Sequence, residues 1–334
     1  MDNPVVVEVR RGPLVESRHR GAGAVVDGDG AVVFSFGEID RPVYPRSAVK
    51  AFQALALVES GAADQLDLAE TEIALACSSH TGEPIHVSLA AAMLRKAGAG
   101  PEALACGAHW PSNEKAAHAL ARAGAAPSPL HNNCSGKHAG FICLACASGW
   151  EVAGYEAPSH PVQQAAKEAI EQMTGAALGA DACGTDGCSI PTYAAPLRSL
   201  ALGFARFGAG TGLSPRRARA TQRIRASVAA HPYLIGGEGR FDTDVMRMLG
   251  ARAFTKGGAE GVVCAALPDM GLGLAVKIDD GAARAAHVTM AALIARFLPM
   301  SDAERARFET FLAPTLRNWN GLEVGRVIGA GPLG

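Results

Sequence analysis

The chain has 334 residues, of which 49% are hydrophobic and 19% are charged. This composition allows a large buried core, and we expect one domain over residues 1–334. The formal net charge is −1 without a basic or acidic block, which argues against nucleic acid or a membrane surface as partner. No apolar run approaches the ~20 residues of a membrane span, and the amino-terminal segment lacks a signal core. We therefore expect a soluble, cytoplasmic protein.

The first predicted elements are strands. "PVVVEVRRG" predicts one strand, and "AGAVVDGDGAVVFSFG" predicts a hairpin that turns at residues 27–30. Apolar residues then recur at helical spacing from Ala48, so a helix is predicted to begin at Ser47. The following apolar run, "TEIALACSSH", is interpreted as a buried strand that ends near Ser78 and Ser79.

The middle of the chain, to about Met248, has helical patterns separated by glycine and proline. The predicted helices are "IHVSLAAAMLRKAG", "EKAAHALARAG", "GKHAGFICLACASG", "PVQQAAKEAIEQMTG", "TYAAPLRSLALGFARFG" and "SPRRARATQRIRASVAAHP". After Gly250, three strands ("ARAFTKGG", "EGVVCAALPDM", "GLGLAVKIDD") precede helices at "VTMAALIARFLPM" and "DAERARFETFL". This order predicts an α+β fold: an antiparallel sheet formed from both chain ends and packed with helices, plus a helical lobe over roughly residues 60–250.

Ser47 and Lys50 form the first candidate site. At spacing i, i+3 the two side chains share a helix face, although the helix dipole disfavours a cation in the first turn. A serine becomes a nucleophile when a neutral amine accepts its proton, which gives this placement a chemical reason. A serine N-cap followed by an unrelated lysine explains the pair equally well. A second S-x-x-K, at Ser112 and Lys115, shows that the motif alone is weak.

The second candidate is "HNNCSGKHAGFICLACASG". Cys134 precedes Lys137 by three residues at a predicted helix start, where a thiolate is favoured. Asn132 and Asn133 carry amides that can hold a polar substrate. The alternative is a capped turn before a buried helix.

The third candidate is the glycine-rich segment "DACGTDGCSIPTY", with Cys183, Asp186 and Cys188. Cys134 together with Cys183, Cys188 or a nearby histidine would make an incomplete zinc site, although the spacing is not C-x-x-C. Chance proximity is the alternative. The four cysteines in apolar surroundings are interpreted as buried thiols that act as small hydrophobic residues: Cys77, Cys143, Cys146 and Cys264.

Two strand ends complete the candidates. Lys256 ends a predicted strand and is followed by two glycines, which allow close approach of a ligand. Ser79 and His80 follow the apolar run in "CSSHTGEP" and can face a site, although helix capping by Ser79 or Thr81 explains this stretch as well.

An S-x-x-K helix start, a middle loop with asparagine and a late Lys-Gly-Gly occur in the order used by penicillin-recognising serine enzymes and serine glutaminases. A closer resemblance is to the L-asparaginase II family, the rhizobial-type or class 3 asparaginases. The blocks that carry it are "RSAVKAFQAL", "CSSHTGEP", "HNNCSGKHAGF", "DGCSIPTYAAPL", "GGEGRFDTDVM" and "TKGGAEGV". They span nearly the whole chain in the family's order.

The resemblance implies a serine β-lactamase-like fold, a homodimer, and hydrolysis of L-asparagine to L-aspartate and ammonia. It implies two Ser-Lys tandems, Ser47 with Lys50 and Ser79 with Lys256. It also implies a zinc ion bound by Cys134, Lys137 and Cys188, whereas the residues alone favour His138 or Cys183 over a lysine as ligand. The substrate-binding residues assigned with it are Arg46, His80, Asn132, Asn133 and Asp186, the last beside the metal.

The mechanism expected from these residues begins with neutral Lys50, which takes the proton of Ser47. Ser47 attacks the asparagine amide, while Ser79 and Lys256 relay protons or activate water. The alternatives are a glutaminase, a penicillin-type acyl-serine hydrolase, and a non-catalytic zinc or thiol-redox protein that uses Cys134, Cys183 and Cys188.

Overall fold

The structure, a computed structural model, describes residues 3–334. The strands are β1 (Val5–Arg11), β2 (Leu14–Asp27), β3 (Val32–Phe36), β4 (Pro42–Val43), β5 (Cys183–Thr185), β6 (Pro191–Tyr193), β7 (Ala195–Pro196), β8 (Phe254–Gly257), β9 (Val262–Leu267), β10 (Leu272–Ile278), β11 (Thr315–Arg317) and β12 (Glu323–Gly329). The α-helices are α1 (Lys50–Gln53), α2 (Leu55–Glu59), α3 (Ala62–Gln65), α4 (Glu70–Ala76), α5 (Pro84–Lys96), α6 (Glu114–Arg122), α7 (Ser135–Ala147), α8 (Pro161–Thr174), α9 (Leu197–Ala209), α10 (Pro215–Ala230), α11 (Phe241–Leu249), α12 (Ala283–Phe297) and α13 (Asp302–Leu312).

The main sheet is antiparallel and combines the two ends of the chain. Its order is β11-β12-β1-β2-β10-β9-β8, and β3 pairs with the second half of β2. β1 lies between β12 and β2, so strands from the two ends of the chain are hydrogen-bonded neighbours in the sheet. The predicted α+β class and the origin of the sheet are confirmed.

Alternation along the strands explains why helices cover both faces. In β10, Leu272, Leu274 and Val276 point to the core shared with α12, whereas Ala275 points to the core beneath α9. The face towards α9 has small residues because that helix lies very close to the sheet. A Cβ added at Gly273 would overlap the α9 backbone at Ala201 and Ala205.

Gly273→Ala is therefore expected to destabilise the fold by at least about 1–3 kcal/mol, since the sheet or α9 must move to accept one methyl group. Urea unfolding of the two proteins measures the difference in free energy. Gly329→Ala in β12 is the control, because a Cβ added there would meet no atom closer than the Leu333 Cβ at 3.4 Å, an ordinary van der Waals contact. Equal stabilities for Gly273→Ala and the parent protein would contradict this packing.

Several predictions of local structure differ from the observed elements; among them, the helix predicted over "TYAAPLRSLALGFARFG" begins only at Leu197, after β6 and β7. The run "TEIALACSSH" is predicted as a strand, but residues 71–76 belong to α4, whose start is capped by the Glu72 carboxylate accepting from the Ala69 N–H at 2.7 Å. A short apolar run has no periodicity that separates a buried helix from a buried strand. The strands β11 and β12 were not predicted, and the helix expected at Ser47 begins as a 3₁₀ turn, Arg46–Val49, before α1.

Candidate active site

A cavity of about 500 Å³ opens where the end of β8, the turn before α1 and the start of α11 meet. One part of its wall is formed by four of the predicted site residues: Ser47, Ser79, Asn133 and Lys256. The rest includes residues to which the sequence assigned no role, notably Arg240, Phe241, Asp242, Asp244, His287 and Phe311.

The Ser79 hydroxyl lies between two lysine amines. Lys50 Nζ is 2.9 Å from Ser79 Oγ, and Lys256 Nζ is 3.0 Å from the same oxygen. Ser79 follows α4, and its backbone N–H donates to the Ile235 carbonyl at 2.9 Å, which fixes the turn. The fold thus brings two distant lysines to one nucleophile-type side chain.

Lys256 has the electrostatics of a base. It is fully buried in β8, and its Nζ also donates to the Gly257 carbonyl at 2.8 Å. Burial lowers the pKa of Lys256 to about 8, with Lys50 and Arg240 acting in the same direction and Asp242 opposing them. Near neutral pH this amine therefore releases its proton far more readily than an ordinary lysine.

Lys50 has the contacts of a donor. Its buried Nζ donates to the Ser78 carbonyl at 2.6 Å, to Ser79 Oγ and to Cys134 Sγ at 3.1 Å. These are three acceptors, as many as an ammonium group has N–H donors. Lys50 therefore links the Ser79 hydroxyl to the Cys134 sulfur.

Ser47 lies at the same cavity but without the expected partner. Its side chain is half-buried in the 3₁₀ turn, and among residues 3–334 it has no hydrogen bond to Lys50. The turn is tightly held, because a Cβ at Gly258 would overlap the Pro45 carbonyl. Arg46 in this turn has φ 51°, a left-handed conformation that costs energy for a residue other than glycine.

Cys134, Lys137 and Cys188 form a second buried cluster next to Lys50. Lys137 Nζ donates to Cys188 Sγ at 2.9 Å, and the Cys188 thiol contacts the Cys134 sulfur. That contact, with Lys50 and Lys137 nearby, holds the pKa of Cys134 well below its ordinary value. The two sulfurs and the amine predicted to act together are thus assembled.

The predicted substrate-binding residues occupy different surroundings. Asn133 is exposed at the cavity. Asn132 is buried: its side-chain N–H donates to the Cys106 carbonyl, and its side-chain oxygen accepts from the Cys134 N–H, both at 2.8 Å. His80 is also buried, with one ring nitrogen 2.9 Å from Ser135 Oγ and the other accepting from the Gly82 N–H at 3.1 Å. The polar groups of Asn132 and His80 are therefore engaged in hydrogen bonds within the protein, which position the neighbouring backbone and leave them unavailable to a substrate.

Asp186 and Arg46 are bonded to each other beside the cysteine cluster, with Arg46 Nε 2.7 Å from Asp186 Oδ1. Burial opposes ionisation of Asp186, but Lys137 and Arg46 more than compensate and lower its pKa. The Arg46–Asp186 pair therefore lies near Lys137, in the cluster that also contains Cys134 and Cys188.

The remaining sulfur and imidazole groups lie outside the cluster. Cys183 in β5 contacts Tyr193, and His138 Nδ1 is 2.5 Å from the Tyr155 hydroxyl. Burial raises the pKa of Cys77 and of Cys143 to about 12, as expected for unreactive core thiols. In the described part of the chain, no three or more His, Cys, Asp and Glu side chains form a metal-binding group.

The second S-x-x-K does not reach the cavity. Ser112 lies just before α6 and Lys115 in its first turn, and both are exposed; the N-cap of this helix is Asn113. Conversely, Arg240 and Asp242 line the cavity although they belong to "GGEGRFDTDVM", a block whose residues received no role. Arg240 directly precedes α11 and Asp242 lies in its first turn, and these two opposite charges so close together were the available signal.

A serine hydroxyl between two buried amines, at the wall of an open cavity, defines a serine-type hydrolase. The family model for L-asparaginase II matches residues 7–328, so the chain belongs to the L-asparaginase II family. That family places it among the amidases.

The solved structures that resemble this one are distant in sequence. A β-lactamase from Mycobacterium bovis is 14% identical with a TM-score of 0.42, and the match covers 84% of this chain and 95% of that one. Simvastatin synthase from Aspergillus terreus is 13% identical with a TM-score of 0.40, and the match covers 78% of this chain and 86% of that one. D-alanine carboxypeptidase from Burkholderia cenocepacia is 13% identical with a TM-score of 0.39, and the match covers 87% of this chain and 92% of that one. No curated protein matches the chain significantly. Across residues 3–334, no helix has the length and apolar character required to cross a membrane.

Proposed function

We propose that the protein hydrolyses L-asparagine to L-aspartate and ammonia, with Ser79 as the nucleophile and Lys256 as its base. The observation that carries the proposal is the Ser79 hydroxyl held 3.0 Å from Lys256 and 2.9 Å from Lys50 at the cavity wall. Family membership supports an amide substrate, and the cavity of about 500 Å³ has room for asparagine.

In the first half of the reaction, neutral Lys256 accepts the Ser79 proton while the hydroxyl oxygen attacks the side-chain amide carbon. The C–N bond then breaks, the proton passes from Lys256 to the leaving nitrogen, and ammonia departs from an ester on Ser79. Lys50, bonded to the same oxygen, stabilises the negative charge that develops there as the proton leaves.

In the second half, water gives a proton to Lys256 and attacks the ester carbonyl. The ester bond to Ser79 then breaks, aspartate leaves, and the proton passes from Lys256 to the Ser79 oxygen, which restores both groups. Ser47 and Asn133 line the same cavity and can hydrogen-bond to the substrate or this water. The choice of Ser79 over Ser47 follows from the contacts with the lysines, and a nucleophilic Ser47 is the competing assignment.

A zinc site is part of the proposal. Cys134 and Cys188 fit the ion because cysteine sulfurs are usual zinc ligands, and Lys137, buried in the same cluster, can be the third ligand once its amine has released its proton. Bound zinc would supply a positive charge able to orient a substrate carboxylate. The family resemblance also underlies our inference of a homodimer, which the mass of the protein in solution tests. We also propose a cytoplasmic location, as expected from the sequence.

Cys188→Ser is expected to lower the zinc content of the purified protein severalfold, since it removes one sulfur ligand. Elemental analysis per chain is the measurement and does not depend on activity. Cys183→Ser is the matched control, because Cys183 lies at Tyr193 outside the cluster. Equal zinc in the parent protein and Cys188→Ser would remove Cys188 from the ligand set.

The proposed reaction is tested by ammonia release from asparagine, with glutamine and a β-lactam as competing substrates. We expect turnover of asparagine at a kcat/KM at least about tenfold above glutamine, because one methylene shifts the amide carbon relative to a fixed serine. Preference for glutamine or ring opening of the β-lactam would support the competing hydrolases. Inertness towards all three would favour the zinc or thiol protein.

A further inference from the structure

Asp242 lies at the cavity next to the proposed base. It occupies the first turn of α11, and its Oδ2 accepts from the Gly257 N–H at 2.9 Å. The same oxygen is 3.9 Å from Lys256 Nζ. Asp242 therefore bonds the residue that directly follows the lysine in β8 and faces the amine as well.

The carboxylate is poorly explained by stability alone. Its side chain is only 14% exposed, and Oδ1 is buried without a hydrogen-bond partner among residues 3–334. Burial of an unpartnered carboxylate oxygen costs free energy, and an amide would satisfy the Gly257 N–H equally well. The hydrogen bond to Gly257 therefore does not explain why this residue carries a negative charge, whereas an interaction with the neighbouring Lys256 cation does.

We infer that Asp242 is a positioning residue: its carboxylate fixes the end of β8 through Gly257 and holds the Lys256 amine towards the Ser79 hydroxyl. The arrangement is nucleophile, base and orienting acid, in which the third group sets the position and proton affinity of the second. This inference rests on the proposed function, since it assigns Lys256 the role of base.

Asp242 affects the pKa of Lys256 in the opposite direction to most of the surroundings of that amine. The groups that act on the amine or are acted on by it are Asp242, Lys50, Arg240, Cys134, Cys77 and Cys264. Burial, Lys50 and Arg240 lower the pKa of Lys256, while Asp242 is the largest influence that raises it. Without the carboxylate the amine would lose its proton at lower pH.

The test uses Asp242→Asn, which keeps an acceptor for Gly257 but removes the charge, and Asp242→Ala, which removes both. Asp302→Asn is the control, because Asp302 is an exposed acid in the first turn of α13. Asp242→Asn should move the rising limb of kcat/KM against pH towards lower pH by about one unit. Asp242→Ala should in addition lower kcat roughly tenfold to a hundredfold, with little change in KM. An unshifted limb in Asp242→Asn, or parental kcat in Asp242→Ala, would overturn the inference.

A second readout separates this inference from the proposed function. The rate at which a sulfonyl fluoride labels Ser79, followed by mass spectrometry against pH, reports the Ser79–Lys256 pair without turnover. A shift of that profile in Asp242→Asn supports the role of Asp242 even if asparagine is not hydrolysed. An unshifted labelling profile overturns it even if asparagine is a good substrate.

Discussion

Ser79→Ala is expected to lower kcat for asparagine at least about a thousandfold, because the hydroxyl that both lysines contact is removed. The fold should remain, since Ser79 is held by its backbone N–H, which alanine retains. Steady-state kinetics with thermal unfolding as a check on the fold provide the measurement.

The same experiment distinguishes the two serines at the cavity. Ser47→Ala is expected to lose less activity than Ser79→Ala, because Ser47 lacks a hydrogen bond to Lys50 in the described residues. Ser112→Ala, at the exposed S-x-x-K, should retain full activity. Trapping the acyl-enzyme and locating the modified serine decides the nucleophile, and an acyl group on Ser47 would contradict our assignment.

Lys256→Met is expected to lower kcat/KM by about a hundredfold to ten-thousandfold, since the proposed base is lost. In the parent protein kcat/KM should rise with pH through about 8, as the fraction of neutral Lys256 increases. Well below that pH it should fall about tenfold for each unit. In Lys256→Met this rising limb should disappear, and its persistence would assign the titration to another group.

Lys256→Met also has an expected effect on stability. The folded-state pKa of about 8 lies below the ordinary lysine value of 10.5, so the unfolded chain binds more protons between these pH values. The destabilisation by Lys256 is therefore full below pH 8 and is relieved as pH rises towards 10.5. Methionine should stabilise the fold at pH 7 by up to about 3 kcal/mol, less the cost of leaving Asp242 without its cation. Denaturant unfolding at pH 7 and pH 10 measures both effects.

Much of the sheet could be predicted because its strands carry alternating or wholly apolar patterns. "GLGLAVKIDD" and "EGVVCAALPDM" became β10 and β9, and the hairpin turn at residues 27–30 joins β2 and β3. β12 was not predicted, because its exposed charged residues and two glycines weaken the apolar signal. Its position beside β1 is a long-range pairing that no local pattern encodes.

The sequence predicted which residues belong to the candidate site better than it predicted which of their side chains contact each other. Spacing within a helix linked Ser47 to Lys50, whereas in the fold Lys50 reaches across to Ser79 and Cys134. A sequence interval cannot show that a long lysine side chain points away from its near neighbour. Asp242 was not identified for a similar reason, since its contact with Gly257 depends on the approach of α11 to β8.

The neighbours of β1 have a consequence for synthesis of the chain on the ribosome. Val7 in β1 pairs with Gly329 in β12, a residue translated roughly 320 positions later. At about 5–20 residues per second, β1 waits on the order of twenty seconds to a minute for that partner. During this interval one hydrogen-bonding edge of a nascent apolar strand is open, so chaperone capture of elongating chains should fall sharply once β12 has emerged.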